Sequence, residues 1–358
     1  MRVVILGLSI TSSWGNGHAT NFRALVRALG RRGHDVLFLE RDMPWYAAHR
    51  DCPHPEGART VLYADVAELR ERYVEDVRGA DLVIVGSYVP DGQAVGEWVT
   101  AAARGVTAFY DIDTPVTVAA LDRGECAYLN ARVIPRYDLY LSFTGGPLLD
   151  LIARHYRARC PVPFHCFVDP EVHAPRQVAT RWDLGYLGTY SPDRQPALDA
   201  LLLEPARRRP ELRFVVAGPQ YPDDVAWPAN VQRIEHLPPA EHPDFYAAQR
   251  WTLNITRADM IAAGWSPSVR LFEAGACATP VISDRWAGLE EFFVPGTEIV
   301  AAAGPDDVLA VLDDPDPQRA AAVARAARAR VLAEHTAEHR VARLEDLVER
   351  AAAMGRSA

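Results

Sequence analysis

The chain has 358 residues, 49 % of them hydrophobic and 24 % charged, which is too long for one ordinary core and suits a globular protein of two domains. Its formal net charge of -9 argues against a non-specific binder of nucleic acid or of an anionic membrane, since such surfaces need a basic excess. Five cysteines, an odd number without C-x-x-C spacing, exclude a disulfide framework and a zinc finger type of site.

Residues 2–8 form a continuous apolar run, the pattern of a strand buried on both faces of a parallel sheet. The run leads into a loop holding Gly15, Asn16, Gly17 and His18 rather than into a small-residue cleavage site, and no later stretch approaches a membrane-spanning length. The cytoplasm is therefore the expected compartment. Phe22, Leu25, Val26 and Leu29 predict an amphipathic helix over 21–32, closed by Gly33, and 35–40 is the next strand. Thr20 stands where G-x-G-x-x-G needs a third glycine, so the loop is not a dinucleotide fingerprint. Its glycines let a substrate approach the backbone, and His18 at the helix start is a candidate proton acceptor or hydrogen-bond donor. The plain alternative is a flexible turn with His18 as a helix cap.

Strands at 81–86 and 106–110 follow, separated by a helix over 94–104, and their exits carry Tyr88, Asp111 and Asp113. Carboxylates at the carboxyl end of a central strand are costly to bury unless paired or functional. Asp111 and Asp113 are thus candidates for a general base or for contacts to substrate hydroxyls, with helix capping by Asp113 as the alternative. A strand over 137–143 ends at Thr144-Gly145-Gly146, where Gly145 marks a cleft edge. Residues 41–57 read as a polar and aromatic loop.

Prolines 161, 163, 170 and 175 mark an interdomain connection. A second alternating series starts at 184–188. Its first loop, Gly188-Thr189-Tyr190, precedes a helix over 195–207 and carries Arg194, a combination of unpaired N–H groups and a cation suited to a diphosphate. A strand over 213–217 ends at Gly218, 231–234 leads into His236-Leu237, and 251–255 is the next strand. Ser266 or Ser268 then caps a helix with Pro267 early in it, on which Arg270 and Glu273 share one face. The strand over 279–283 delivers Asp284 and Gly288-Leu289-Glu290 to the end where open α/β sheets bind ligands. A strand over 298–301 and helices over 306–312, 317–334 and 336–352 complete the chain. Val341, Leu344, Leu347 and Val348 give the last helix an apolar face that needs a partner.

The stretch Ser266-Pro-Ser-Val-Arg-Leu-Phe-Glu273, together with Ser9-Ile-Thr-Ser-Ser-Trp-Gly-Asn-Gly-His18, resembles the CgeB (spore maturation protein) type of glycosyltransferase, of the GT-B superfamily, over nearly the whole chain. The resemblance implies an α/β architecture of two Rossmann-like domains facing across a central cleft. Residues 1–168 would bind the acceptor and 169–335 the nucleotide-sugar donor, with a final helix in 336–358 crossing back to the first domain. It implies that Glu273 binds the donor ribose, that the His236-Leu237 segment meets the base, and that the loop from Asp284 to Glu290 faces the donor phosphates and sugar. Where many retaining relatives carry an earlier glutamate, this chain has Trp265, which leaves the stereochemical outcome open.

The implied reaction moves a sugar from a nucleotide-sugar donor to a small-molecule or cell-surface glycan acceptor. No cofactor, metal or nucleic acid partner is expected, and the leaving diphosphate would be stabilised by Arg194, Arg270 and helix N-termini. Two other classes share the architecture: a nucleotide-sugar epimerase, and a nucleotide-sugar binding protein with a decayed site.

Overall fold

The computed structural model describes residues 1–355, so the end of the 336–358 segment lies outside the described residues. The chain divides into two compact units, Met1–Cys166 with the residues from Ala337 on, and Phe167–Thr336.

The first unit is built on seven strands: β1 (Arg2–Gly7), β2 (Asp35–Arg41), β3 (Arg59–Tyr63), β4 (Leu82–Gly86), β5 (Val106–Asp111), β6 (Leu139–Ser142) and β7 (Pro161–Pro163). They form one parallel sheet in the order β3-β2-β1-β4-β5-β6-β7. Val3, Val4, Ile5 and Leu6 are all buried, as the apolar run required, because helices cover both faces of such a sheet. The order reverses between β1 and β4, and a crevice opens at the carboxyl ends of adjacent strands at such a point. β3 follows the expected loop over 41–57, in a stretch to which the sequence pattern assigned no element, and β7 lies inside the expected connection. Both are edge strands paired on one side only, which is where a segment bounded by two prolines is tolerated.

The first helix, His18–Arg31, begins three residues before the expected start, which puts His18 inside its first turn. The final helix, Ala337–Gly355, packs against this first helix. Its Val341, Leu344, Leu347 and Val348 are buried, and Glu345 accepts from Arg32 and lies 2.7 Å from His34 Nε2.

The second unit holds β8 (Trp182–Leu187), β9 (Phe214–Ala217), β10 (Val231–Ile234), β11 (Gln249–Asn254), β12 (Val281–Asp284) and β13 (Val300–Ala302). This sheet is also parallel, in the order β10-β9-β8-β11-β12-β13. It reverses between β8 and β11. The helix expected over 195–207 runs from Gln195 to Arg208, with a wide π turn at Asp199–Leu203. Pro205 has no N–H to give to the carbonyl four residues earlier, which is the cause of the widening.

A short helix, Ala258–Ala263, follows β11, and the helix before β12 spans Val269–Ala276. Ser268 is its N-cap, accepting from Arg270 N at 3.4 Å, so Pro267 precedes the cap instead of lying in the first turn. At the other end Ala278 closes the turn at φ +56°, a left-handed conformation that costs a residue with a Cβ about 1 kcal/mol relative to glycine. Ala278→Gly is therefore expected to stabilise the protein by about 1 kcal/mol. That corresponds to a rise of about 2–4 °C in Tm by thermal denaturation, and an unchanged or lower Tm would contradict it.

Candidate functional site

Each unit gathers polar residues at the crevice where its strand order reverses. In the first unit, the loop after β1 is shaped by Glu40, the carboxylate near the end of β2. Glu40 is fully buried and accepts from Ile10 N at 2.7 Å, Thr11 N at 3.0 Å, Thr11 Oγ1 at 2.6 Å and Ser9 Oγ at 3.1 Å. Two backbone N–H groups and two hydroxyls thus hold the loop to the neighbouring strand. Further along the loop, Asn16 is buried and its Oδ1 accepts from His18 N at 2.9 Å, while Gly15 and Gly17 are exposed.

His18 Nε2 stands 3.7 Å from Asp113 Oδ2. The edge of the His18 ring meets Tyr88 at 5.3 Å between centroids, and Tyr88 is held at φ +62°. Asp113 occupies the N-cap position of the helix Thr114–Asp122 without making a side-chain cap, so its carboxylate is directed to His18 and not to the helix. The site side chains of both residues keep some exposure, 11 % for His18 and 22 % for Asp113. With Nε2 turned to Asp113, the nitrogen left for a base is Nδ1, which is buried without a hydrogen-bond partner; an imidazole beside a carboxylate is the form of a base and its orienting group.

Asp111 is placed differently. It is fully buried, and its oxygens accept from Tyr140 OH at 2.6 Å and Thr117 Oγ1 at 2.7 Å. Burial pushes its carboxyl up to about 6 despite those two donors. With both oxygens engaged inside the unit, Asp111 ties β5 to β6 and to the following helix. Gly145 is buried just beyond β6.

In the second unit the crevice lies between the loops after β8 and β11. Three guanidinium groups converge on these loops. Arg270 is 7 % exposed. It donates from Nε to Leu187 O at 2.5 Å and from Nη1 to Asn254 Oδ1 at 2.8 Å, and lies over the Tyr186 ring at 4.8 Å. Arg194 donates to Thr189 O at 2.8 Å, and its Nε is buried without a partner. Arg257, on the loop after β11, is 3.7 Å from Asp193. The hydrogen-bond partners of Arg270 are all neutral, and Asp284, the carboxylate whose charge it does feel, gives its oxygens to Thr256 instead, so a buried cation is held here with no carboxylate hydrogen-bonded to it. Gly188 is required at this place: a Cβ would sit 3.0 Å from Arg270 Nη2 and 2.5 Å from Tyr186 OH. Gly218, at φ +143°, closes on Gly188, and its Cβ would lie 2.1 Å from Gly188 O. Tyr190 donates its N–H to Pro219 O at 3.0 Å, so the loops after β8 and β9 are joined.

Asp284 is buried at the end of β12, and its two oxygens accept from Thr256 N and Thr256 Oγ1, both at 2.8 Å. It stands at the end of the sheet where a ligand is expected, and its hydrogen bonds there fix the loop that carries Arg257. Ser266 is likewise buried and donates to Gly264 O at 2.9 Å. Gly288, at φ +89°, lies under the Trp265 ring, and Trp265 Nε1 donates to Glu291 at 2.6 Å. Leu289 is buried and Glu290 exposed in the short helix that follows. His236 is exposed and Leu237 half-buried beyond β10.

Glu273 is 3 % exposed. Its Oε2 accepts from Tyr246 OH at 2.9 Å, and the imidazoles of His173 and His242 stand 3.6 and 3.8 Å from its oxygens. Burial alone would raise its pKa, but the two imidazoles and the hydroxyl outweigh it and hold the carboxyl at about 2. Glu40, Arg257 and His173 were not singled out from sequence. Glu40 did leave a signal, a carboxylate ending the buried run of β2.

A family profile described as glycosyl transferase-like matches residues 194–346, a span that holds Arg194, Arg257, Arg270 and Glu273. No curated protein matches the sequence. Among solved structures, the chain is similar to sucrose-phosphate synthase from Thermosynechococcus elongatus, with a TM-score of 0.68, 15 % identity and coverage of 98 % of this chain and 99 % of that one. It is similar to Anabaena HepE in complex with UDP and glucose, with a TM-score of 0.70, 13 % identity and coverage of 98 % and 99 %. An α-glucosyltransferase in complex with UDP-glucose and DNA containing an abasic site gives a TM-score of 0.71 at 12 % identity, covering 98 % and 99 %. At such identities the likeness is one of fold, and the fold is GT-B. The comparisons thus show the GT-B fold over nearly the whole chain and a glycosyl transferase-like segment over 194–346. Among the described residues, no helix is long and apolar enough to cross a membrane.

Proposed function

We propose that the chain transfers a sugar from a nucleotide-sugar donor to an acceptor hydroxyl without a metal ion. The observation that carries this reading is the crevice between β8 and β11, where Arg270 is buried with neutral hydrogen-bond partners and the loops that meet there also carry Arg194 and Arg257. A buried guanidinium with no carboxylate hydrogen-bonded to it is costly, and a diphosphate supplies a partner that accepts bidentate hydrogen bonds. In this role the three arginines stabilise the negative charge that develops as the nucleoside diphosphate leaves. Glu273, one helical turn after Arg270, takes the ribose hydroxyls, and the segment at His236 and Leu237 lines the base. The structural neighbours that hold UDP or UDP-glucose make uridine the first nucleoside to test.

The acceptor belongs to the first unit, where His18 removes the proton of the attacking hydroxyl and Asp113 orients the imidazole and stabilises its charged form. The acidity of the chain disfavours DNA as that acceptor, although one neighbour is held with DNA. The motif around Glu273 supports the finer assignment to the CgeB type, and a cytoplasmic location accords with nucleotide-sugar use.

The test is a thermal-shift screen of UDP, GDP, ADP and their sugar conjugates in chelator. A ligand at a hundred times its Kd adds about 2.7 kcal/mol, so one nucleotide family is expected to raise Tm by several degrees. No shift with any of them would remove the donor site. Donor turnover with and without acceptor then separates transfer from epimerisation and from simple binding.

A further inference from the structure

Three side chains from separate elements of the second unit converge one turn along the helix from Arg270. Glu273 comes from that helix, His242 from the start of the helix His242–Ala247, and His173 from the connection before β8. Their nitrogen and oxygen ligand atoms lie within 4.8 Å of one another. His173 is 2 % exposed, and neither of its ring nitrogens makes a hydrogen bond of normal length and angle. A buried imidazole with both nitrogens idle is costly, and its Nε2 points at Glu273 Oε1 from 3.6 Å. Burial disfavours a charged His173 and the Glu273 carboxylate opposes that; in either form the ring has an N–H to offer Glu273.

An ionised carboxylate has about four acceptor positions, and Tyr246 takes one of them. His242 is the more exposed imidazole, 14 % of its side chain against 2 % for His173. The carboxylate therefore has a closed wall at His173 and a more open side at His242. Arg270 and Glu273 are separated by about one helical turn, roughly 5 Å of rise, which suits a diphosphate on one and the ribose diol on the other.

Resting on the donor-site reading, we propose that His173 is a positioning residue: its Nε2–H closes onto Glu273 Oε1 and sets the carboxylate for the ribose diol, which enters from the His242 side. His173 itself does not touch the nucleotide. The competing occupant is a zinc ion, which accepts two imidazoles and a carboxylate with an open fourth position.

The experiment compares UDP with 2′,3′-dideoxy-UDP by calorimetry on wild type, His173→Leu and His173→Gln, each dialysed and assayed for zinc. Wild type should bind UDP about tenfold or more tightly than the dideoxy analogue, since a hydrogen bond to a charged group is worth at least that factor. His173→Leu should bring UDP down to the dideoxy affinity while leaving the dideoxy analogue within about twofold. His173→Gln, which keeps an N–H donor, should restore UDP to within about threefold of wild type.

A general structural role would weaken both nucleotides equally and would overturn the proposal. So would one equivalent of zinc held by wild type and lost in His173→Leu. If wild type binds neither nucleotide, the donor-site reading falls and takes this proposal with it, a result distinct from either of those. Should His173→Leu fail to fold, His173→Asn replaces it, because the shorter amide does not reach Oε1.

Discussion

Arg270→Met is expected to lower kcat/KM by about 10²–10³, the loss typical of removing one preorganised donor to a developing anion, and to abolish the nucleotide-induced rise in Tm. Arg270 is the guanidinium that the fold buries, and its contacts to Leu187 O and Asn254 hold it rigidly where the β8 and β11 loops meet. Its hydrogen-bond partners are neutral, and the nearby Asp284 keeps its two Thr256 donors, so methionine strips no carboxylate of its hydrogen bonds. Leu187 O, Asn254 Oδ1 and Ser268 Oγ lose a donor, costing about 1–3 kcal/mol each at most, so the variant should fold with a lower Tm. Arg270→Lys is not conservative here, because one ammonium does not reproduce a fork that donates in two directions. Initial rates and thermal shifts on the two variants check this. A nucleotide shift equal to that of wild type would show that Arg270 is a structural cation and that the diphosphate is held elsewhere.

His18→Ala should lower kcat by about 10²–10⁴, the range of general base catalysis, while leaving the donor-induced thermal shift intact. The two effects separate because His18 and Asp113 belong to the first unit and the arginines to the second. Asp113→Asn should cause a smaller loss, since it keeps the ring in place and removes only the charge that steadies the imidazolium. Asp111→Asn should act through stability, because that carboxylate is sealed between Tyr140 and Thr117. Steady-state kinetics with saturating donor reads these effects. A fall in kcat of less than tenfold in His18→Ala would remove the base role and favour a retaining course, in which the donor phosphate assists the acceptor.

Local pattern carried much of this. Buried parallel strands read as unbroken apolar runs, so β1, β2, β4 and β5 were visible to within a residue or two at each end. The helix bearing Arg270 and Glu273 was visible through its serine cap and small residues. The edge strands β3 and β7 were not, because a strand paired on one side needs neither a long apolar run nor freedom from proline.

Among site residues the chemistry of each type was legible, but its direction was not. Asp111 and Asp113 are two residues apart in sequence and look equivalent there. The end of β5 turns one inward to Tyr140 and leaves the other facing His18. Asp284 stands at the ligand end of β12 as expected, yet Thr256 claims both its oxygens. Arg257 and His173 lie far from Glu273 along the chain, and no local spacing links them.

The order of apolar runs, glycines and caps therefore settled the class of fold and the two loops where chemistry belongs, since these depend on backbone propensity and on burial of one face. Which carboxylate is open, which cation lacks a hydrogen-bonded carboxylate and which histidine stands behind Glu273 depend on contacts between distant segments. Those are decided when the sheets assemble, because the energy of a buried charge is set by its neighbours in space.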